Sequence, residues 1–319
     1  MAVTTAEVPA RDAPAPGPPR SRRRRSANRW TRRDKLVLGL MIGVPTAISV
    51  LLVWLPALAS VGLSFTRWDG IGLDTISWVG LRNYREIFSI YPPFFPALWH
   101  NVLWLGFFLL VPTPIGLLLA TLLDREIRGT RLYQSAIFLP VVLSLAIVGF
   151  IWQLIYSTDQ GLVNAVITRF GADPVDWLGN PDINLWAVLL AASWRHVGYM
   201  MILYLAGLKG VDPTIKEAAA IDGATAWQTF RYVVFPALRP VNIVVLVITV
   251  IESLRAFDLV YVINRGRNGL ELLSVLITNN IIGEASRIGF GSAIAVMLLV
   301  ISLSFIVVYL AQTFRKDAA

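Results

Sequence analysis

The sequence predicts an all-α membrane protein with six transmembrane helices, and its composition and the spacing of its apolar stretches support that prediction. Hydrophobic residues make up 56% of the 319 residues and charged residues 15%, whereas soluble domains carry about 25% charged residues. The mean hydropathy is +0.64. Because one span needs about 20 apolar residues, the predicted spans are 36–63, 97–123, 134–155, 185–208, 240–262 and 290–313.

The composition also argues against most kinds of catalytic or metal site. The chain has no Cys, which removes disulfides, thiolate metal ligands and cysteine nucleophiles. Its two histidines, His100 and His196, are too few for a multi-histidine metal site. No set of Ser, His and acidic residues converges in the predicted spans. We therefore expect no catalytic residue, no metal and no cofactor on this chain.

Residues 1–35 are predicted to form a disordered, basic cytoplasmic arm that is retained in the mature protein. The arm is rich in Pro and contains the run Arg22–Arg25. A nucleic-acid-binding tail would also be basic, but this arm stops directly against the uncharged first span. Such a flank keeps an N-terminus in the cytoplasm and contacts anionic lipid. We expect no nucleic-acid partner, and the Lys and Arg distribution predicts that both termini are cytoplasmic.

Four of the predicted spans contain no charged residue, whereas spans four and five do. Span four contains Arg195, and span five contains Glu252, Arg255 and Asp258. Spacings of three predict that Glu252 lies beside Arg255 and Arg255 beside Asp258 on one helix. Intramembrane charges normally face a bundle interior or a water-filled cavity. We interpret these residues as part of a polar pathway, with a structural ion pair between helices as the alternative.

The connection between spans four and five, residues 209–240, is predicted to hold a short helix. Asp212 suits the N-cap, Pro213 the first helical position and Gly223 a left-handed end. An interfacial helix in the headgroups is one interpretation. We prefer a docking element, because the Ala residues of this helix bury too little area to anchor in lipid but allow another protein to approach closely.

This connection also resembles a known motif. The segment Glu217-Ala218-Ala219-Ala220-Ile221-Asp222-Gly223, followed by Val233, Phe235 and Pro236, resembles the EAA motif of permease subunits of binding-protein-dependent ABC importers. Three further segments are similar to the branch with maltose, trehalose and glycerol-3-phosphate permeases: Trp78–Tyr84, Leu205–Leu208 and Arg255–Val262. The resemblance covers about residues 36–316, the predicted permease domain. The Gly-Gly-Pro that often follows in that branch is replaced by Gly266-Arg267-Asn268.

The resemblance implies a MetI-like fold and a transmembrane subunit of an ATP-driven importer in the bacterial cell membrane. Its substrate would be a sugar or oligosaccharide delivered by an extracytoplasmic binding protein. Its partners would be a second permease and two ABC ATPase subunits that hold ATP and Mg. The chain itself has no phosphate-binding loop, since none of its lysines follows a Gly. The helix at 217–223 would be the coupling helix, whose ATPase-coupling residues are Glu217, Ala218, Ala219, Asp222, Gly223 and Pro236.

The resemblance also implies substrate contacts in spans four and five. Tyr199 matches a sugar-contacting position, and Trp194 is a second candidate for stacking on a pyranose. Ser253 joins Glu252 in the predicted pathway. Other tryptophans are interpreted as interfacial anchors: Trp54, Trp99, Trp104 and Trp186. The alternative function is an ion-coupled secondary transporter with Glu252 and Asp258 as a proton relay, although no paired half-repeats are visible.

Overall fold

The computed structural model describes residues 31–125, 128–283 and 286–317. Residues 1–30 of the predicted arm lie outside the described residues. The last residues of that arm are helical, because α1 begins at Arg32. Thr31 is its N-cap: the Thr31 hydroxyl accepts from Asp34 N, and the Asp34 carboxylate accepts from Thr31 N. This capping box explains why the helix begins before the predicted boundary at residue 36.

The chain forms two compact units, residues 1–56 and 57–319. The described part of the first unit is helical, with α1 (Arg32–Ser49) followed by a π-helix, Val50–Trp54. The next helix, α2 (Leu55–Leu63), contains Pro56 near its start. Proline has no N–H to donate to the carbonyl four residues earlier. The missing donor at Pro56 accounts for the π-helical hydrogen bonds just before it.

The described residues of the second unit are mainly helical and include one short antiparallel pair of strands. The strands are β1 (Thr66–Arg67) and β2 (Ser77–Trp78), with Thr66 opposite Trp78. The helices up to residue 209 are α3 (Arg82–Ser89), α4 (Phe94–Leu110), α5 (Pro112–Leu123), α6 (Thr130–Val142), α7 (Leu145–Ile155), α8 (Leu162–Arg169) and α9 (Asn184–Lys209). The later helices are α10 (Pro213–Ile221), α11 (Ala226–Thr229), α12 (Phe235–Ala237), α13 (Arg239–Leu254), α14 (Asp258–Asn264), α15 (Leu273–Ile281) and α16 (Ile288–Asp317).

Four described helical segments are long and apolar enough to cross a membrane, and two bent pairs could each form one more. The four are Arg32–Leu63, Phe94–Leu123, Asn184–Lys209 and Ile288–Ala311. The predicted third span is not straight: α6 and α7 meet at 99°, because Ser144 has extended backbone and its hydroxyl caps α7 by accepting from Ile147 N. The predicted fifth span is not continuous either, since α13 ends at Leu254 and α14 begins at Asp258.

Helix α9 is the central packing element of the second unit. Its N-terminal half joins one apolar cluster with α4, α7 and α14, and its C-terminal half joins a second cluster with α5 and α13. Small residues allow close approach on two sides. A Cβ at Gly198 of α9 would lie 2.3 Å from the Ile137 carbonyl oxygen of α6, and one at Gly116 of α5 would lie 2.6 Å from Met200 Cβ of α9.

Residues 212–223 form the predicted short helix. The Asp212 carboxylate accepts from Thr214 N at 2.9 Å, and this bond holds the pKa of the Asp212 carboxyl below its ordinary value. Pro213 is the first helical residue, and Gly223 has a positive φ of 79° after the last turn. All three local signals therefore predicted α10 correctly.

Candidate functional site

A cavity of about 180 Å³ lies between α4, α7, α9 and the break that separates α13 from α14. Its charged lining is supplied by Arg195 of α9 and by three residues around the break, Glu252, Arg255 and Asp258, and His196 of α9 also lines it. The structure thus brings together at one cavity all the charged residues predicted for spans four and five.

The break is built into the packing of the second unit. Two neighbouring helices take up carbonyl groups that the interrupted helix leaves unpaired: Asn101 Nδ2 donates to the Ser253 carbonyl at 3.2 Å, and the Ser274 hydroxyl donates to the Ala256 carbonyl. Non-helical backbone at membrane depth is tolerated where it is buried in protein or lines a cavity. The second condition holds here, since Arg255, Ala256 and Phe257 line the cavity.

The break changes the predicted charge pairing. The prediction that Arg255 lies beside Asp258 on one helix is wrong, because Arg255 ends α13 and Asp258 begins α14. Among the described residues, Glu252 pairs instead with Arg195 of α9, with 3.4 Å between Oε2 and Nη1. The structural ion pair between helices, which was the alternative interpretation, is therefore present, and it lies in the cavity lining.

Arg255 and Asp258 occupy helix ends that suit their charges. Arg255 is the C-cap of α13, and its N–H donates to the Ile251 carbonyl at 2.9 Å. Asp258 is the first residue of α14. A cation at a helix C-terminus and an anion at a helix N-terminus are both favourable, so both charges stabilise the break as well as line the cavity.

Arg195 retains a donor that the ion pair does not use. Its Nε is buried and has no hydrogen-bond partner among the described residues. The side chains of Arg195 and Glu252 are 23% and 39% exposed, so the pair is only partly desolvated. An unpaired buried donor is costly, so the ion pair with Glu252 does not fully satisfy the Arg195 guanidinium.

His196 is a packing residue rather than an open polar group. Its ring is buried, 4.3 Å from the Phe108 ring between centroids. Its Nε2 lies 3.4 Å from the Thr113 hydroxyl and 3.5 Å from the Thr249 hydroxyl. These contacts connect α4, α5, α9 and α13 beside the cavity.

Three predicted pathway residues lie outside the cavity lining. The Ser253 side chain is fully buried, and its hydroxyl donates to the Thr249 carbonyl at 2.7 Å. Tyr199, one turn beyond Arg195, is half-buried against the cluster that holds α5 and α13. Trp194 packs edge-on against Trp152, with ring centroids 6.0 Å apart. Their positions give no support to direct sugar contact by these residues.

Two aromatic residues at the cavity come from α4, and a third, Phe257, lies in the break. Trp104 is 2% exposed and lines the cavity together with Phe108. The interpretation of Trp104 as an interfacial anchor is therefore wrong, whereas Trp99 and Trp186 are exposed. The only available signal was the spacing of four between Trp104 and Phe108, which places them on one helix face.

The predicted coupling residues form an exposed group around α10. Glu217, Ala218, Asp222, Gly223 and Pro236 are exposed, and Ala219 is buried. Large apolar side chains beside them are also exposed, and Ile221 is 86% exposed. The segment after α10 has a π-helix, Phe230–Val234, two residues before Pro236, for the same reason as the one before Pro56.

A family model of the binding-protein-dependent transport system inner membrane component matches residues 27–316. The chain belongs to this family. The match covers all of the described helices apart from the last residue of α16, so the identification as an importer permease is confirmed.

Relatives and solved structures agree with the permease family. The xylose/arabinose import permease of Haloferax volcanii is 32% identical over 280 residues, 86% of this chain and 87% of that protein. The trehalose/maltose permease MalF of Thermococcus litoralis is 32% identical over 282 residues, 88% and 95% of the two chains. A bacterial alginate ABC transporter matches in fold with a TM-score of 0.76 at 23% identity, covering 89% of this chain and 96% of that one. This permease has the all-helical MetI-like fold.

Proposed function

We propose that this permease moves a sugar or oligosaccharide through a cell membrane as one subunit of an ABC importer. An extracytoplasmic binding protein delivers the sugar, and a second permease completes the pathway. ATP and Mg are held by two separate ATPase subunits, where hydrolysis takes place. The permease domain comprises residues 36–316, after a basic cytoplasmic arm.

The observation that carries this proposal is the convergence of charged and aromatic side chains at the cavity beside the α13–α14 break. The partly exposed Arg195 guanidinium offers N–H donors, and the Glu252 carboxylate offers acceptor oxygens. Sugar hydroxyls both donate and accept hydrogen bonds, and charged partners make the stronger ones. Trp104 and Phe108 add aromatic surface on the α4 side. Relatives that are named for sugars of several kinds support the same substrate class.

In the proposed topology each bent pair forms one span, which gives six spans with both termini cytoplasmic. The α6–α7 pair is the third span, and Arg239–Asn264 of the second bent pair, which holds α13 and α14, is the fifth. Neither α6 nor α7 alone reaches across about 30 Å of hydrocarbon, because 13 helical residues rise only about 20 Å. The connection 209–240 then lies on the cytoplasmic side, where the basic arm also lies.

In this orientation α10 is the coupling helix. Glu217 is exposed and contacts a basic group of the ATPase, and Ala218 allows the close approach. The buried Ala219 holds the helix against the permease. Gly223, with its φ of 79°, turns the chain within the ATPase groove. Asp222 and Pro236 border the same exposed surface.

The experiment compares Glu217→Ala with Asp173→Ala in the complex that copurifies with the tagged chain, reconstituted in liposomes. Asp173 is an exposed carboxylate on the predicted external side, so it controls for loss of a charge. ATPase activity is measured with and without binding protein and a sugar panel: xylose, arabinose, maltose, trehalose and arabino-oligosaccharides. We expect stimulated activity to fall about tenfold in Glu217→Ala, which corresponds to about 1.4 kcal/mol of lost coupling.

The control variant should keep the activity of the unmodified complex. If no ATPase copurifies and the chain alone carries solute down a proton gradient, the importer function is wrong. Glu252 and Asp258 would then be tested as the proton relay of a secondary transporter.

A further inference from the structure

Three charged side chains from three helices meet beside α10, and we name them the Asp124 cluster: Asp124, Lys209 and Lys216. Asp124 Oδ1 lies 3.3 Å from Lys209 Nζ, and Asp124 Oδ2 lies 3.4 Å from Lys216 Nζ. The Asp124 side chain is only 20% exposed. One carboxylate therefore bridges two ammonium groups at the ends of α5, α9 and α10.

Two members of the Asp124 cluster are placed where their own helices disfavour them. Asp124 is the C-cap of α5, at the negative end of that helix. Lys216 lies in the first turn of α10, at the positive end. A helix end disfavours a charge of its own sign. Here the two unfavourably placed charges are opposite in sign and pair with each other. The pair therefore stabilises the contact between α5 and α10, although each charge destabilises its own helix.

The cluster gives α10 a connection that the chain itself does not provide. α10 follows α9 after a turn of three residues, whereas α5 is remote from it in sequence. Through Asp124, Lys216 joins α10 to the end of α5. α5 in turn packs closely on α9, where a Cβ at Gly116 would clash with Met200. The ends of α5, α9 and α10 thus form one packed and charge-paired group.

Two of the three helices that the cluster joins, α9 and α5, connect it to the walls of the cavity. α9 carries Arg195 and His196, and α4, which continues into α5 in one candidate span, carries Trp104 and Phe108. A displacement of α10 is therefore transmitted to two walls of the cavity. Rigid-body movement of packed helices is a common way to transmit such a displacement.

We propose that Asp124 is a positioning residue that ties the coupling helix α10 to the cytoplasmic ends of the second and fourth spans, so that ATPase closure moves both cavity walls together. This inference rests on the proposed docking of the ATPase at α10. Asp124 contacts neither substrate nor ATPase in this role; it acts through Lys216 and Lys209.

The first test removes charges in the reconstituted complex, with the sugar panel and binding protein as the probe. Asp124→Asn and Lys216→Gln are each expected to lower stimulated ATPase activity about fivefold, while the ATPase still copurifies. The double variant is expected to be no worse than either single variant, because residues in one ion pair are not additive. Asp173→Asn is the matched control, with the same change at an exposed carboxylate.

The second test replaces the ion pair with a covalent bridge between the same two positions. It asks whether a connection between α5 and α10 restores transport-coupled activity in the absence of the charges. The chain has no Cys of its own, so Asp124→Cys with Lys216→Cys gives one pair of thiols in this subunit for a short bifunctional thiol reagent. We expect stimulated activity to be about fivefold low before bridging and restored to at least half afterwards.

The inference is overturned if Asp124→Asn keeps full stimulated activity, or if bridging abolishes the activity, since the contact would then have to open during transport. These outcomes are separable from failure of the proposed function. If Glu217→Ala keeps full stimulation, α10 is not the docking helix; if Glu217→Ala loses stimulation and Asp124→Asn does not, only the role of Asp124 is wrong.

Discussion

Gly198 offers a direct test of how closely α6 and α9 pack. A Cβ at this position would lie 2.3 Å from the Ile137 carbonyl oxygen and 3.1 Å from Val141 Cγ2. Favourable contacts between carbon and a carbonyl oxygen lie at about 3.3–3.6 Å, so Gly198→Ala requires a separation of about 1 Å. The obstructing oxygen belongs to the backbone and cannot rotate away. The two helices must move apart as a result.

The cost follows from two opposing contributions. Overpacking of this kind typically costs about 1–3 kcal/mol, and replacing Gly by Ala in a helix returns up to about 1 kcal/mol. We therefore expect Gly198→Ala to lower the free energy of unfolding by about 1–2 kcal/mol, and Tm by about 2–5 °C for a chain of this size.

Thermal unfolding of the detergent-solubilised chain measures this effect, and Gly106→Ala in α4 is the matched control. A Cβ at Gly106 would meet nothing within 4 Å, so only the gain in helix propensity should remain and Tm should stay equal or rise. The reasoning fails if Gly198→Ala is as stable as the unmodified chain, or if both variants lose the same stability.

Two further predictions concern the cavity and the external segment. Glu252→Gln leaves the Arg195 guanidinium without its charged partner at 3.4 Å, and we expect tracer sugar uptake in proteoliposomes to fall about tenfold. The free energy of unfolding should fall by no more than about 1 kcal/mol, because the pair is partly exposed. Full uptake would contradict the role given to the pair. Asn83→Ala removes the buried amide that donates to the Ser64 and Thr66 carbonyls at 2.8 Å; thermal unfolding should show a loss of about 1–3 kcal/mol, and an unchanged Tm would mean that water replaces both bonds.

The sequence was sufficient for features that depend on neighbouring residues. The start and end of α10 follow from Asp212, Pro213 and Gly223, each acting on backbone within a few positions. The charged residues of two predicted spans also converge on one cavity, as expected for charges within a membrane. Both inferences need no knowledge of which helices are neighbours.

Features that depend on tertiary contacts could not be predicted. The partner of Glu252 is Arg195 on another helix, 57 positions earlier in the chain. Trp104 carries no local mark that separates a buried tryptophan from an interfacial one, and only its packing against α9 and α14 decides its place. Ser253 was assigned to the pathway by adjacency, but its helix turns it toward the Thr249 carbonyl.

The break between α13 and α14 explains why the charges of one cavity divide into two kinds. Arg255 and Asp258 stand at helix ends of opposite sign to their own charge, so a stable interrupted helix accounts for both even in the absence of substrate. Arg195 and Glu252 lie within continuous helices, where no helix end favours them, and Arg195 keeps a buried donor unused. A partly desolvated pair with an unused donor is costly to maintain, and the two side chains remain 23% and 39% exposed at the cavity. Under the proposed function we therefore expect substrate contacts first at Arg195 and Glu252, whereas Arg255 and Asp258 stabilise the break that shapes the cavity.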